Sequence, residues 1–202
     1  MKKVLLILSL LVGSISFAGP VRIGNGDNGE DLQSFTQINS GKVFETRKKA
    51  VELLRSFEIR KIDGLGALTP EVENTKLYMT KKGIGPGDLV KLGAYSEDGT
   101  GLIYARTLPV HYAATRFFPA AEKLNEKQLI ALHIHEGLHR SLPKEINEDE
   151  KIITTITEAI TAPNASKDEV SKIVSLYLPK KSEQVSKNTS AAIYIPKKSR
   201  LN

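Results

Sequence analysis

A chain of 202 residues without a single cysteine excludes disulfides and thiolate ligands, so any metal would be held by nitrogen and oxygen alone. The formal charge of +6 comes from scattered lysines and arginines with no aromatic-rich basic strip, which argues against nucleic acid as a partner. A modest basic excess suits contact with anionic envelope polymers, or plain solubility.

Met1-Lys2-Lys3 is a short basic start, Val4 to Ile15 is almost wholly apolar, and Ser16-Phe17-Ala18 places small residues before Gly19. This pattern predicts a signal peptide over 1–18, and hence a periplasmic or secreted bacterial protein. The apolar run is shorter than the ~20 residues of a spanning helix, so no stable membrane span is expected after cleavage. Residues 19–41 contain Gly24-Asn25-Gly26-Asp27-Asn28-Gly29 and read as a flexible leader with little to bury. That cluster lacks the ligand alternation and closing glutamate of a calcium loop. The remainder, 42–202, fits one domain with a real hydrophobic core.

Val43, Phe44, Val51, Leu54 and Phe57 recur at helical spacing and predict a helix from Lys42 to Glu58. A second helix is expected from Leu68 to Tyr78, with Thr69 as cap and Pro70 in the first turn. Residues 82–87 read as a loop, without the preceding strand or the lysine placement of a phosphate cradle. Gly101 to His111 alternates as a strand, and Pro109 suits an edge position. Asn125 caps a helix from Glu126 to about Leu142, with Gln128 at the third position and Pro143 ending it. Asn147 is expected to cap a helix from Glu148 to Thr161, and Ser166 one from Lys167 to Tyr177. Ala191 to Ile195 reads as a short strand.

The stretch with chemical content is Leu132 to Arg140, which contains His135-Glu136-Gly137-Leu138-His139. On a helix, His135 and His139 are i and i+4, so both imidazoles leave one face and can share an ion. Ala131, Leu132, Leu138 and Leu142 surround them, which turns the histidines inward, where they destabilise the fold unless satisfied. His133 falls on the far side of the wheel and is not expected to be a ligand. Arg140 is a candidate partner for Glu148, Asp149 or a substrate carboxylate.

The His-Glu-x-x-His pattern resembles the metal-binding motif of zincin-type zinc metallopeptidases, over roughly Asn125 to Ala159. The resemblance implies an α+β, single-domain zincin-like fold, mostly helical with a small sheet beside the motif helix. It also implies a Zn2+ cofactor, Glu136 as general base, and a protein or peptide substrate, cell-envelope material among them. In zincins an edge strand lines the substrate cleft, the place open to residues 101–111 here. His111, Tyr112 and Tyr104 precede the motif and could donate to a developing oxyanion, though nothing in their spacing selects one.

Catalytic zinc usually has three protein ligands, so one more is needed. Glu145 stands where metzincins carry their third ligand, but it is not histidine, and Leu142 replaces their glycine. Glu158 resembles the glutamate of gluzincins in spacing and in its setting, Thr157-Glu158-Ala159. Turn geometry favours Glu150: if the next helix folds back antiparallel, the residue level with His139 lies near its third position. Glu150 therefore ranks ahead of Glu158, and Glu158 ahead of Glu145.

Overall fold

The computed structural model describes residues 34–96, 101–107 and 114–178, and the expected signal peptide, residues 19–33 and the 191–195 strand lie outside them. Four strands form a mixed sheet in the order β1-β2-β4-β3: β1 Phe35–Gln37, β2 Lys76–Thr80, β3 Ala105–Thr107 and β4 Ala114–Phe117. The outer pairs β1–β2 and β3–β4 are antiparallel, while β2 and β4 run parallel. Six α-helices lie among the described residues: α1 Lys42–Ser56, α2 Leu68–Asn74, α3 Pro86–Lys91, α4 Glu126–Ser141, α5 Glu150–Thr161 and α6 Lys167–Tyr177. The architecture is a small α+β domain, mostly helical, with its sheet beside the motif helix.

Helix α4 is the centre of the packing. It touches α1, α2, α5 and β3, and from Leu132 to Leu138 every residue is buried. One apolar cluster joins Ile134 and Leu138 of α4 to Leu54, Leu68, Val72, Ile153, Ile156 and Val170 from α1, α2, α5 and α6. A second joins Leu129 and Leu132 to Leu77, Ala105 and Phe117 of the sheet. A motif helix enclosed by helices on one side and a sheet on the other has its polar side chains fixed by their surroundings, because packed interiors leave few alternative rotamers.

Several expectations need correction. The tail of the stretch read as a leader, Phe35–Gln37, is an edge strand, and Phe35 is buried against Phe118. The helix expected over Leu68–Tyr78 stops at Asn74, and Lys76–Thr80 is β2, because Leu77 and Thr80 are claimed by the sheet. Thr69 lies within α2 rather than capping it. Pro86 begins the short helix α3 inside a region read as loop, as its fixed φ favours. Of the strand expected over 101–111, Ala105–Thr107 pairs as an edge strand, and positions 108–111 are outside the described residues.

Candidate metal centre

Helix α4 begins where expected. The Asn125 side chain accepts from the Gln128 backbone at 3.0 Å, and the Gln128 side chain accepts from the Asn125 backbone at 2.8 Å. At the other end the helix meets Pro143, and the chain turns through Ile146, which is anchored in the main core. Asp149, not Asn147, caps α5, accepting from the N–H groups of Lys151 and Ile152. Glu150 is thereby the first residue of α5 and faces α4.

The two motif imidazoles and this carboxylate meet. Their ligand atoms all lie within 4.8 Å of one another. His135 Nε2 is 3.2 Å from Glu150 Oε2, and His139 Nε2 is 3.5 Å from Glu150 Oε1. Bonds of about 2.1 Å to a tetrahedral ion place neighbouring ligand atoms about 3.4 Å apart, so these spacings suit one shared ion. The His135 side chain is 2% exposed and that of His139 17%.

Protonation supports the same conclusion. His139 Nδ1 lies 2.8 Å from the Asn147 carbonyl, which can only accept, so this nitrogen carries the proton. In the neutral ring Nε2 then presents a lone pair towards a carboxylate that also presents lone pairs. With its ring protonated, His135 Nε2 pairs with Glu150 Oε2 at 3.2 Å. Burial pushes the Glu150 carboxyl upward, but a hydrogen bond from His135 and the positive charge of His139 and His135 in their protonated forms outweigh it and hold the group below the ordinary carboxylate value. An all-nitrogen-and-oxygen donor set with an oriented imidazole fits zinc, the metal the resemblance implies.

Glu136 is not one of these three residues and is held from β3. Its carboxylate accepts a 2.6 Å hydrogen bond from Thr107 Oγ1 of β3 and is buried. Thr107 in turn lies 3.2 Å from Arg140 Nη1, which also donates to Thr115 Oγ1 at 3.0 Å. Arg140 Nε donates to Glu71 of α2 at 3.2 Å. The Arg140 side chain is 2% exposed, so it pairs inside the fold rather than with Glu148, Asp149 or a ligand from solvent. Its burial lowers the guanidinium from its ordinary value, opposed by Glu136 and Glu71.

The remaining candidates separate. Glu145 and Glu158 are exposed and outside the cluster. His133 is buried on the opposite side, donating to the Val43 carbonyl at 2.8 Å. Tyr104 packs against the sheet–helix cluster, while His111 and Tyr112 lie outside the described residues. Sequence reasoning missed Thr107, Thr115 and Glu71, and it assigned Asn147 the wrong role. No family model, curated protein or solved structure matches this chain.

Proposed function

We propose that this protein is an exported zincin-type zinc metallopeptidase. The observation that carries the reading is the meeting of His135 Nε2, His139 Nε2 and the Glu150 carboxylate, with the His139 ring oriented by the Asn147 carbonyl. Three protein ligands leave a tetrahedral position open, as catalytic zinc requires. These three residues would hold zinc, which when bound would supply a Lewis acid able to polarise a peptide carbonyl and acidify water near neutral pH. Glu136, next to His135, takes the proton that the attacking water loses and hands it to the departing amine. Strand β3 supports a peptide substrate: it is at the sheet edge, it packs on α4, and no strand among the described residues pairs with its outer side. Export, and with it cell-envelope peptides as substrates, rests on residues 1–18.

The test is to purify the chain, measure its metal by mass spectrometry, and assay protein and peptidoglycan-peptide cleavage for wild type and Glu136→Gln. Wild type should cleave and the variant should not, with zinc equal in both. Equal residual activity refutes the mechanism. Stoichiometric zinc with no cleavage, and retained binding to cell-wall material, would instead identify a metal-holding envelope protein.

A further inference from the structure

Thr107 has one hydroxyl proton and several neighbours. Arg140 Nη1, at 3.2 Å, can only donate, so it uses the Thr107 oxygen as acceptor. The proton is left for Glu136, whose Oε2 is 2.6 Å away and whose backbone carbonyl is 3.1 Å away. The shorter bond, assisted by the carboxylate charge, is the stronger claim on it. Arg140 cannot easily swing away, since Glu71 and Thr115 hold it from α2 and β4 in a buried position. Among the described residues, Glu136 Oε1 accepts no hydrogen bond.

We propose that Thr107, locked by Arg140, is a positioning residue that grips Glu136 by Oε2 and so reserves Oε1 for the proton transfer. This rests on the peptidase reading above. The arrangement also joins the edge strand to the general base through one hydroxyl, so the strand that would seat a peptide and the group that would act on it keep a fixed spacing. A merely structural tie between β3 and α4 would predict a stability change without a selective loss of turnover.

The experiment compares Thr107→Val, which keeps the shape and removes the hydroxyl, with Thr107→Ser, which restores it. Zinc content, kcat, KM and Tm are measured on the full chain, and the Glu136 carboxyl 13C resonance is recorded on the metal-free protein. Thr107→Val should keep its zinc and a KM within about twofold while kcat falls about 10- to 100-fold, the usual loss on removing an outer hydrogen-bond partner. Thr107→Ser should recover most of it. The carbon resonance should move in the valine variant and not in the serine one. Thr107→Ala serves the same readouts if the valine variant fails to fold. Unchanged kcat in the valine variant, equal impairment of valine and serine variants, or an unmoved resonance would each overturn the positioning role alone. An inactive, zinc-loaded wild type would overturn the peptidase reading, and the positioning role with it.

Discussion

His139 and Asn147 hold each other twice. The His139 ring donates from Nδ1 to the Asn147 carbonyl at 2.8 Å, and the Asn147 side-chain amide donates to the His139 carbonyl at 3.0 Å. The second bond has a reason in the sequence. The carbonyl of His139 would normally accept from the residue four positions on, which is Pro143 and has no N–H. Asn147 fills that gap, and its own carbonyl is thereby placed to orient the imidazole.

Replacing Asn147 should therefore reach the metal. Asn147→Ala removes the amide donor, leaves the His139 carbonyl unsatisfied and frees the turn. We expect about 1–2 kcal/mol of lost stability and zinc affinity weakened about 10-fold. Asn147→Asp has the same size but sets an acceptor against an acceptor, and should be worse than alanine on both counts. Thermal melts and competition with a chromophoric chelator measure the two effects. Wild-type affinity in both variants would show that the reciprocal bonds do not orient the ligand.

Metal removal gives a second expectation. A ligand that binds only the folded state stabilises by RT ln(1 + [L]/Kd), about 2.7 kcal/mol at one hundred times Kd. Chelation should lower the Tm of wild type, and added zinc should restore it. Glu150→Gln should lose the tight site, so its Tm should not respond to the chelator, whereas Glu158→Gln and Glu145→Gln should respond like wild type. A chelator response that survives in Glu150→Gln would remove Glu150 from the ligand set.

How far the sequence foretells this arrangement depends on the range of the interactions. Helices α4 and α6 carry local capping boxes, Asn125 with Gln128 and Ser166 with Glu169, and both begin as expected. Glu150 was reachable because a short turn fixes which residue of a returning helix lies level with His139. The cap of α5 was not, since Asn147, Glu148 and Asp149 compete locally, and a contact with His139 eight positions away decides it. Strand β4 is buried at all four positions, so it has no alternation to read, and Lys76–Thr80 continues an apolar spacing that a helix would share. Thr107, Thr115 and Glu71 are ordinary polar residues in their own segments. Only the packing of α2, β3 and β4 around Arg140 gives them a role, and no local pattern reports it.

The histidine outside the site provides a test by pH. His133 is fully enclosed, and desolvation lowers its pKa from 6.5 to about 4, despite the Val43 carbonyl that favours the charged ring. The unfolded chain therefore takes up the proton first as pH falls. The neutral buried ring contributes its full stability above about pH 6.5, and that contribution is lost progressively between there and about pH 4. A gap of this size corresponds to about 3 kcal/mol. His133→Gln can still donate to Val43 but does not titrate, so the difference between wild type and variant in denaturant melts should shrink over that window. Parallel pH profiles for the two proteins would rule out His133 as an acid-sensitive group.

The glycine inside the motif has a packing role that can be separated from the chemistry. A Cβ on Gly137 would lie 2.5 Å from Val72 Cγ2 and 3.0 Å from Leu68 Cδ1, both on α2. Val72 is branched at Cβ and cannot turn its methyl aside, so α2 and α4 would have to move apart. Overpacking of this kind costs about 1–3 kcal/mol, against a gain of up to about 1 kcal/mol from replacing glycine in a helix. Gly137→Ala should therefore destabilise on balance. It should also weaken Arg140's hold on Glu71, which sits beside Val72 on the same helix. Val72→Ala alone leaves a void and costs stability, but together with Gly137→Ala the added methyl enters the vacated space. The double variant should be more stable than the sum of the single losses predicts, by about 1 kcal/mol or more in a double-mutant cycle. Strict additivity in denaturant melts would mean that the two helices are not pressed together at this glycine.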